Sequence, residues 1–474
     1  MSLLGRTELP FTNGFYDSRS RALSSQRCIN WYPNIVESPA LSDENLYPTA
    51  GVDQVATAGG INRGSFLMNR RPYFVNGTRL FRLNREVGPD LEEMFTVDDL
   101  GEIAGTGRVR VAATGQELAI VVPGVTAYTY KDGDPSRIEI TDPNFDGPVD
   151  DVVQINSFFV FCKTDTNKVF QSALNDGQSY NALDFATVPQ VPVVVGMMVF
   201  RNQLYIMGDS LTVPFDPVGG LNFNFQPIPN AVLDIGLASV HAKTLFRSSF
   251  AFVGSGENAE NSIWLFSGGM NRISIDPVDF LLQNQNPDQI AESFMTRLSQ
   301  NGAEFVMYTV GDRCLGYDLS VGRWHERESR IGEEDFRWRV NSIVQAYNKI
   351  FVGDAVDGRI GRIEDELMTE YDNSMIRTLV TQPYFDGGNR VMAKGIEVYT
   401  DTGNGEDDLM GLRWSDNGGY NWSNQILRGM GNAGEYGRRV VFDRLGSFSN
   451  TRVLELTYTG PNPCAINKLM ATTG

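Results

Sequence analysis

Histidine and cysteine are nearly missing from this chain. Its 474 residues include two histidines and four cysteines. His241 and His325 are too few for a His-rich metal set. Cys28, Cys162, Cys314 and Cys464 are widely spaced and form neither a CxxC pair nor a Cys/His ligand set. Structural zinc is therefore not expected, and no metal or cofactor is. Cys162 and Cys314 sit in apolar, strand-like runs and read as buried free thiols, which suits synthesis in a reducing cytoplasm. Long apolar runs are absent too. No stretch approaches a membrane span, and the N-terminal MSLLGRTELPFTNG lacks the apolar core of a signal peptide. Neither export by such a signal nor stable membrane insertion is expected. Basic residues are also scarce: 40 Lys and Arg against 58 Asp and Glu give a formal net charge of -18. Gripping duplex DNA by its phosphates needs clustered cations, which the chain as a whole does not offer; a single basic patch stays open. Net acidity serves solubility, and it also suits a surface that DNA slides past without sticking.

Catalytic signatures are equally sparse. GxSxG, HExxH, a Walker loop and a strand-linked GxGxxG are all missing. A lone histidine in such a chain reads as structural or solvated before it reads as a general base. Acidic clusters occur at Asp90-Glu92-Glu93, Asp150-Asp151, Glu333-Glu334-Asp335 and Glu406-Asp407-Asp408. Facing carboxylates about 5–9 Å apart can cleave glycosides. Runs in Gly- or Pro-flanked loops are more often solvated faces. The last cluster has the charge for calcium without the EF-hand spacing. No catalytic residue is assigned.

What the chain does have is glycine, 48 in all, between aromatic and β-branched runs, which favours an all-β fold. A degenerate strand–turn–strand unit recurs, beginning with RRPYFVNGTRLFRL at 70–83, whose Asn76-Gly77 is a hairpin signal. Anchored on Phe74, Ala119, Phe159, Tyr205, Ala251, Val306 and Phe351, the copies lie 45, 40, 46, 46, 55 and 45 residues apart. A period near 45 is that of a β-propeller. About seven blades are expected, with six plus a transition hairpin also fitting. The long interval contains PDQIAESFMTRLS at 287–299, where Ile290, Phe294 and Leu298 fall at i, i+4 and i+8 and predict a helical insertion with a core-facing stripe. GYDLSVGRWHE at 316–326 has a kelch-type shape, with Trp324 returning to pack on its blade.

Three regions are expected: an extended N-terminal arm over 1–45, a propeller over 46–370, and a C-terminal β-sandwich over 371–474. Within the arm, Trp31, Tyr32 and Pro33 are candidates for docking a neighbouring subunit, with burial against the chain's own propeller an equal alternative. Near the other end, LRWSDNGGYNWS at 412–423 approaches the Asp-box turn of sialidases. Trp414, Ser415, Asn417, Gly418, Gly419 and Trp422 make it, with Asn417 in the Asp position and Asn421 in the Thr position. Short polar side chains cap loop N–H groups in such a turn, and glycine supplies positive φ. One copy outside the propeller marks a structural hairpin rather than an enzyme. Arg438, Arg444 and Arg452 are expected to pair with Glu435 or Glu455.

The longer stretch sharpens this. From Trp414 to Trp422, then Gly434-Glu435-Tyr436, Arg439-Val440, Arg444-Leu445-Gly446 and Arg452 to Glu455, the sequence resembles the C-terminal domain of short-tailed phage tail proteins. AGTGRVRVAATGQELAIV at 104–121, the 271–326 stretch and NWYP at 30–33 resemble the packaged-DNA stabilisation proteins of temperate Salmonella-type podoviruses, which form the tail hub or nozzle. That resemblance implies a non-enzymatic virion protein, synthesised in the host cytoplasm. It implies a homo-hexameric ring below the portal and its adaptor that extends the DNA channel and retains the genome. It also implies a tail needle or plug held by the ring, with tailspikes or fibres attached nearby. DNA would pass without sequence-specific binding. The alternative is a propeller-type glycan-binding or glycan-cleaving tail protein.

Overall fold

A computed structural model describes residues 5–88, 92–405 and 408–474. The period-45 repeat becomes seven four-stranded antiparallel units among the described residues. Each anchor residue named above is buried at the middle of its unit's second strand, from Arg71–Asn76 in the first to Lys349–Asp354 in the seventh. A single blade leaves its two apolar faces uncovered, so the cores form between blades. Tyr73 and Val75 of the first blade share one cluster with Leu118 and Ile120 of the second. Phe74 of the first shares another with Phe351 of the seventh. Seven such clusters run once around, and the ring is closed.

Closure uses a strand from far away in sequence. The seventh blade has only three strands from its own region, Val340–Ala346, Lys349–Asp354 and Arg359–Glu364. Gly51–Thr57 supplies the fourth, antiparallel to Arg359–Glu364. The ends of the propeller are thereby stitched together by ladder hydrogen bonds.

The helical insertion differs from the expectation over 287–299. Helices span Asp276–Gln283 and Pro287–Glu292, the second opened by a capping box between Asn286 and Gln289. Phe294 and Leu298 instead lie in the strand Phe294–Gln300, paired with Ala303–Val310 as the first strand of the sixth blade. A spacing of four is also an even number, so it places residues on one face of a strand as well as of a helix. Pairing decided between them.

The N-terminal region is not a free arm. Gly5–Leu9 pairs with the terminal strand Ile466–Thr473. Trp31–Ile35 pairs with Glu44–Pro48, which reaches the same terminal strand through Leu46 and Ile466. Both belong to one sheet of the sandwich, with Val391–Thr400 and Val440–Asp443. The facing sheet holds Arg377–Val380, Thr451–Tyr458, Leu409–Ser415 and Ile426–Gly429. The core between them draws Cys28, Trp31 and Leu46 from the N-terminal region and Leu412, Leu454, Phe442 and Leu469 from the C-terminal one. The C-terminal strands alone would leave this core short of those side chains.

One strand ties the two bodies together. Ser25–Ile29 pairs antiparallel with Arg377–Val380 of the sandwich and meets Trp324–Glu326 of the sixth blade through Ile29 and Glu326. An eleven-stranded sheet thus runs from propeller to sandwich.

Candidate functional site

The junction is built from polar groups that the sheet would otherwise leave unpaired. Asn30 follows the bridging strand with φ of 56°, a left-handed conformation that asparagine tolerates. Its side-chain NH2 donates to the carbonyls of Glu328 at 2.9 Å and Ile376 at 2.7 Å. Its side-chain oxygen accepts from the Glu328 N–H at 3.2 Å. One buried residue therefore ties propeller to sandwich. Beside it, Arg27 meets buried Glu326 at 2.8 Å and Glu328 at 2.5 Å, and Arg313 meets Glu326 at 2.5 Å. Glu326 thus has two cationic partners for its one buried charge.

Trp31, Tyr32 and Pro33 make their contacts within the chain. Trp31 is fully buried in the sandwich, and its indole N–H donates to the Cys464 carbonyl at 2.8 Å. Tyr32 packs edge-on against Phe305 of the sixth blade at 5.1 Å between ring centres. Pro33 is buried beside them. Of the two alternatives, burial against the chain itself is the one these contacts match. The residues alternate between the two bodies because they lie on a strand that separates them.

The 412–423 turn has the local form expected of it. The Ser415 hydroxyl accepts from the Gly419 N–H at 2.9 Å, and Asn417 Oδ1 accepts from the Asn421 N–H at 2.9 Å. Gly418 and Gly419 have φ of 71° and 90°. Asp416, outside the motif's usual cast, receives Arg452 in a two-pronged pair at 2.6 and 2.8 Å. The same guanidinium lies 5.3 Å from the Trp414 ring centre. Arg413 lies 4.9 Å from the Trp422 ring and pairs with Glu455 at 2.5 Å. The arginine pairing therefore differs from the expectation. Arg452 takes Asp416, Glu455 takes Arg413, and Arg439 takes Glu397 at 2.6 Å. Cross-strand register sets these partners: Arg413 stands opposite Glu455 in the ladder.

The candidate acid–base groups are placed for structure. His241 and His325 are both held well below the ordinary histidine range, first by burial and then by neighbouring cations. Asp150 and Asp151 point apart: Asp150 accepts from Thr164 at 2.8 Å, whereas Asp151 is fully buried. Asp151 accepts from Arg110 at 2.8 Å, from the Met197 N–H at 2.8 Å, and from Lys243. Burial pushes its carboxyl up, but the charges of Arg110 and Lys243 outweigh that and keep it ionised. This buried ion set links the second, third and fifth blades. Asp90, Glu406 and Asp407 lie outside the described residues. Glu333, Glu334 and Asp335 are exposed at the tip of a hairpin, Glu333 in its turn and the other two opening the strand Glu334–Arg337. All four cysteines are buried free thiols. No described helix is long and apolar enough to cross a membrane.

A seven-bladed propeller closed by an N-terminal strand and locked to a sandwich by a shared sheet defines a two-body, all-β protein. Two family models cover nearly the whole of it: "Bacteriophage P22 Gp10, beta-propeller" over residues 7–368 and "Bacteriophage P22 Gp10, beta-sandwich" over 376–474. The chain belongs to this family, the packaged-DNA stabilisation proteins that serve as tail hub or nozzle in P22-like phages. It is a structural protein of the phage tail. No curated protein matches the sequence. Among solved structures, the computationally designed Ika8 protein is 11% identical with a TM-score of 0.35, over 66% of this chain and 99% of its own. YCF48 from Cyanidioschyzon merolae is 12% identical with a TM-score of 0.41, over 66% and 99%. Neither bears on function.

Proposed function

We propose that the protein assembles as a six-fold ring below the portal and its adaptor, continues the DNA channel, retains the packaged genome and anchors the tail plug or needle. Spikes or fibres attach near it. The supporting observation is the shared sheet at the junction. A part that resists the pressure of packed DNA must not hinge between its bodies. Here the propeller is joined to the sandwich by a strand ladder, by Asn30 and by the Arg27–Glu326 pair. Closed rings of identical copies give such a part its symmetry from one repeated surface. On this reading the work is mechanical and no residue is assigned to catalysis.

The test is the mass of the purified protein, alone and mixed with the portal–adaptor complex. Six copies docking on that complex are expected. A protein that stays monomeric, ignores the complex and cleaves host polysaccharide would overturn the reading in favour of a glycan-active tail protein.

A further inference from the structure

The first strands of several blades, such as Asn62–Met68, Phe294–Gln300 and Val340–Ala346, run along one shared space inside the propeller. There a cavity of about 340 Å³ is lined from the first, second, fifth, sixth and seventh blades. Its charges run against the rest of the molecule. Arg108 and Arg110 enter from the second blade and His241 from the fifth, with Lys243 buried just behind. Arg337, leading into the seventh blade, and Arg108 both lie against Phe294, at 5.7 and 3.6 Å from its ring centre. Asp151 is already taken by Arg110 and Lys243, and Arg297, which also lines the cavity, is taken by Glu304 at 2.6 Å.

Arg108 is the residue left over. Its guanidinium donates to the Asn341 carbonyl at 2.7 Å and stacks on Phe294. The charges that bear on it among the described residues, Arg337 and Arg110, are both positive. Burial and that repulsion pull it down to about 9. His241 is likewise surrounded by Arg108, Arg110 and Lys243. A chain with 58 acidic and 40 basic residues has thus gathered several cations around one small space, where among the described residues the carboxylates Asp151 and Glu304 are taken by Arg110, Lys243 and Arg297 and leave Arg108 without one. Unpaired charge in a partly dehydrated site is costly, and an anion of suitable size offsets that cost. Guanidinium groups present forks of N–H donors that fit tetrahedral oxyanions.

We propose that the cavity binds a phosphate group, free or on a small ester, held by Arg108 with support from Arg110 and His241. The bound anion bridges blades across the ring and stiffens the propeller. The site belongs to each propeller by itself and does not depend on how copies assemble.

Thermal unfolding of the full chain tests this, with inorganic phosphate or glucose 6-phosphate titrated at constant ionic strength against chloride. A saturable rise in Tm with either ligand, exceeding chloride, is expected. A response to phosphate alone identifies the free ion, and a stronger response to the ester identifies the ester. Arg108→Met should fold, because the lost guanidinium has no carboxylate partner. Its apparent affinity should fall by about tenfold or more, the loss of one charge-assisted contact. Arg108→Lys should retain part of it. Arg330→Met, on the hairpin strand Glu328–Ile331 outside the cavity lining, should respond as the parent does. No rise beyond chloride, or an equal rise in Arg108→Met, overturns the site.

Discussion

At the scale of single residues, the Asp-box-like turn shows how local chemistry becomes a tertiary contact. Gly419 has φ of 90°, but a Cβ there would meet Ser25 and Trp422 at an ordinary 3.4 Å. Its substitution is a matter of backbone strain. Gly418 differs: a Cβ would come within 2.7 Å of the Arg21 carbonyl. The turn tip is pressed against the N-terminal segment that leads into the bridging strand. Gly419→Val should cost about 1–3 kcal/mol from strain in a β-branched residue at positive φ. Gly418→Ala should add displacement of residues 20–22 to a similar strain. Urea unfolding measures the first, and limited proteolysis in the 18–24 stretch detects the second. Gly429→Ala, with open space around it and no positive φ, should leave both unchanged. The turn itself was legible in the sequence, because its glycines and capping side chains are all local. That Arg21 covers it was not, because the contact joins segments some 400 positions apart.

At the scale of elements, the junction concentrates the interactions that make two bodies one. Glu370 lies there, its strand Thr369–Glu370 meeting Val52 of the closing strand. Burial pushes its carboxyl up to about 7, with Ser329 and Arg339 offsetting part of the effect and Asp354 adding to it. The sign follows from where the protons bind. Between the unfolded value near 4.5 and the folded value near 7, the folded chain holds more protons at this site. The stability it contributes is complete below pH 4.5 and is lost as pH rises through 7. Glu370→Gln mimics the protonated form. Its stability relative to the parent should rise from pH 5 to pH 8, by up to about 3 kcal/mol, and then level off. Paired Tm measurements across that range check it. A difference independent of pH would show that Glu370 does not titrate there. The elements are legible in sequence where periodicity and turns are local: the seven second strands fall where the repeat anchors put them. The N-terminal strands read as an extended arm in sequence because their partners, such as Ile466–Thr473 and Arg377–Val380, lie at the far end of the chain. The cations of the cavity are not legible in sequence for the same reason. Arg108, His241 and Arg337 sit in three separate repeats, and only ring closure brings them together.

At the scale of the whole molecule, charge is divided between outside and inside. The chain carries a net charge of -18, while a surplus of cations is walled within a cavity of about 340 Å³. That space suits a small anion and is far too small for a duplex. Long-range attraction from it is also weak, because the Debye length is only about 8 Å at physiological salt. An acidic surface repeated around a ring would repel a passing polyanion and leave it few phosphate contacts to make, so DNA would move along it without a sequence-dependent grip. The expected outcome is specific. Fluorescence anisotropy of a labelled duplex should show no saturable binding to the purified protein at about 0.15 M salt, where non-specific DNA-binding proteins show a Kd of about 10⁻⁴–10⁻⁶ M. A tight complex whose affinity falls steeply with salt would mean that a basic wall faces the DNA. Comparison with Arg108→Met would then tell whether the cavity cations form it: loss of binding in that variant places DNA beside the cavity, and unchanged binding places it elsewhere on the protein.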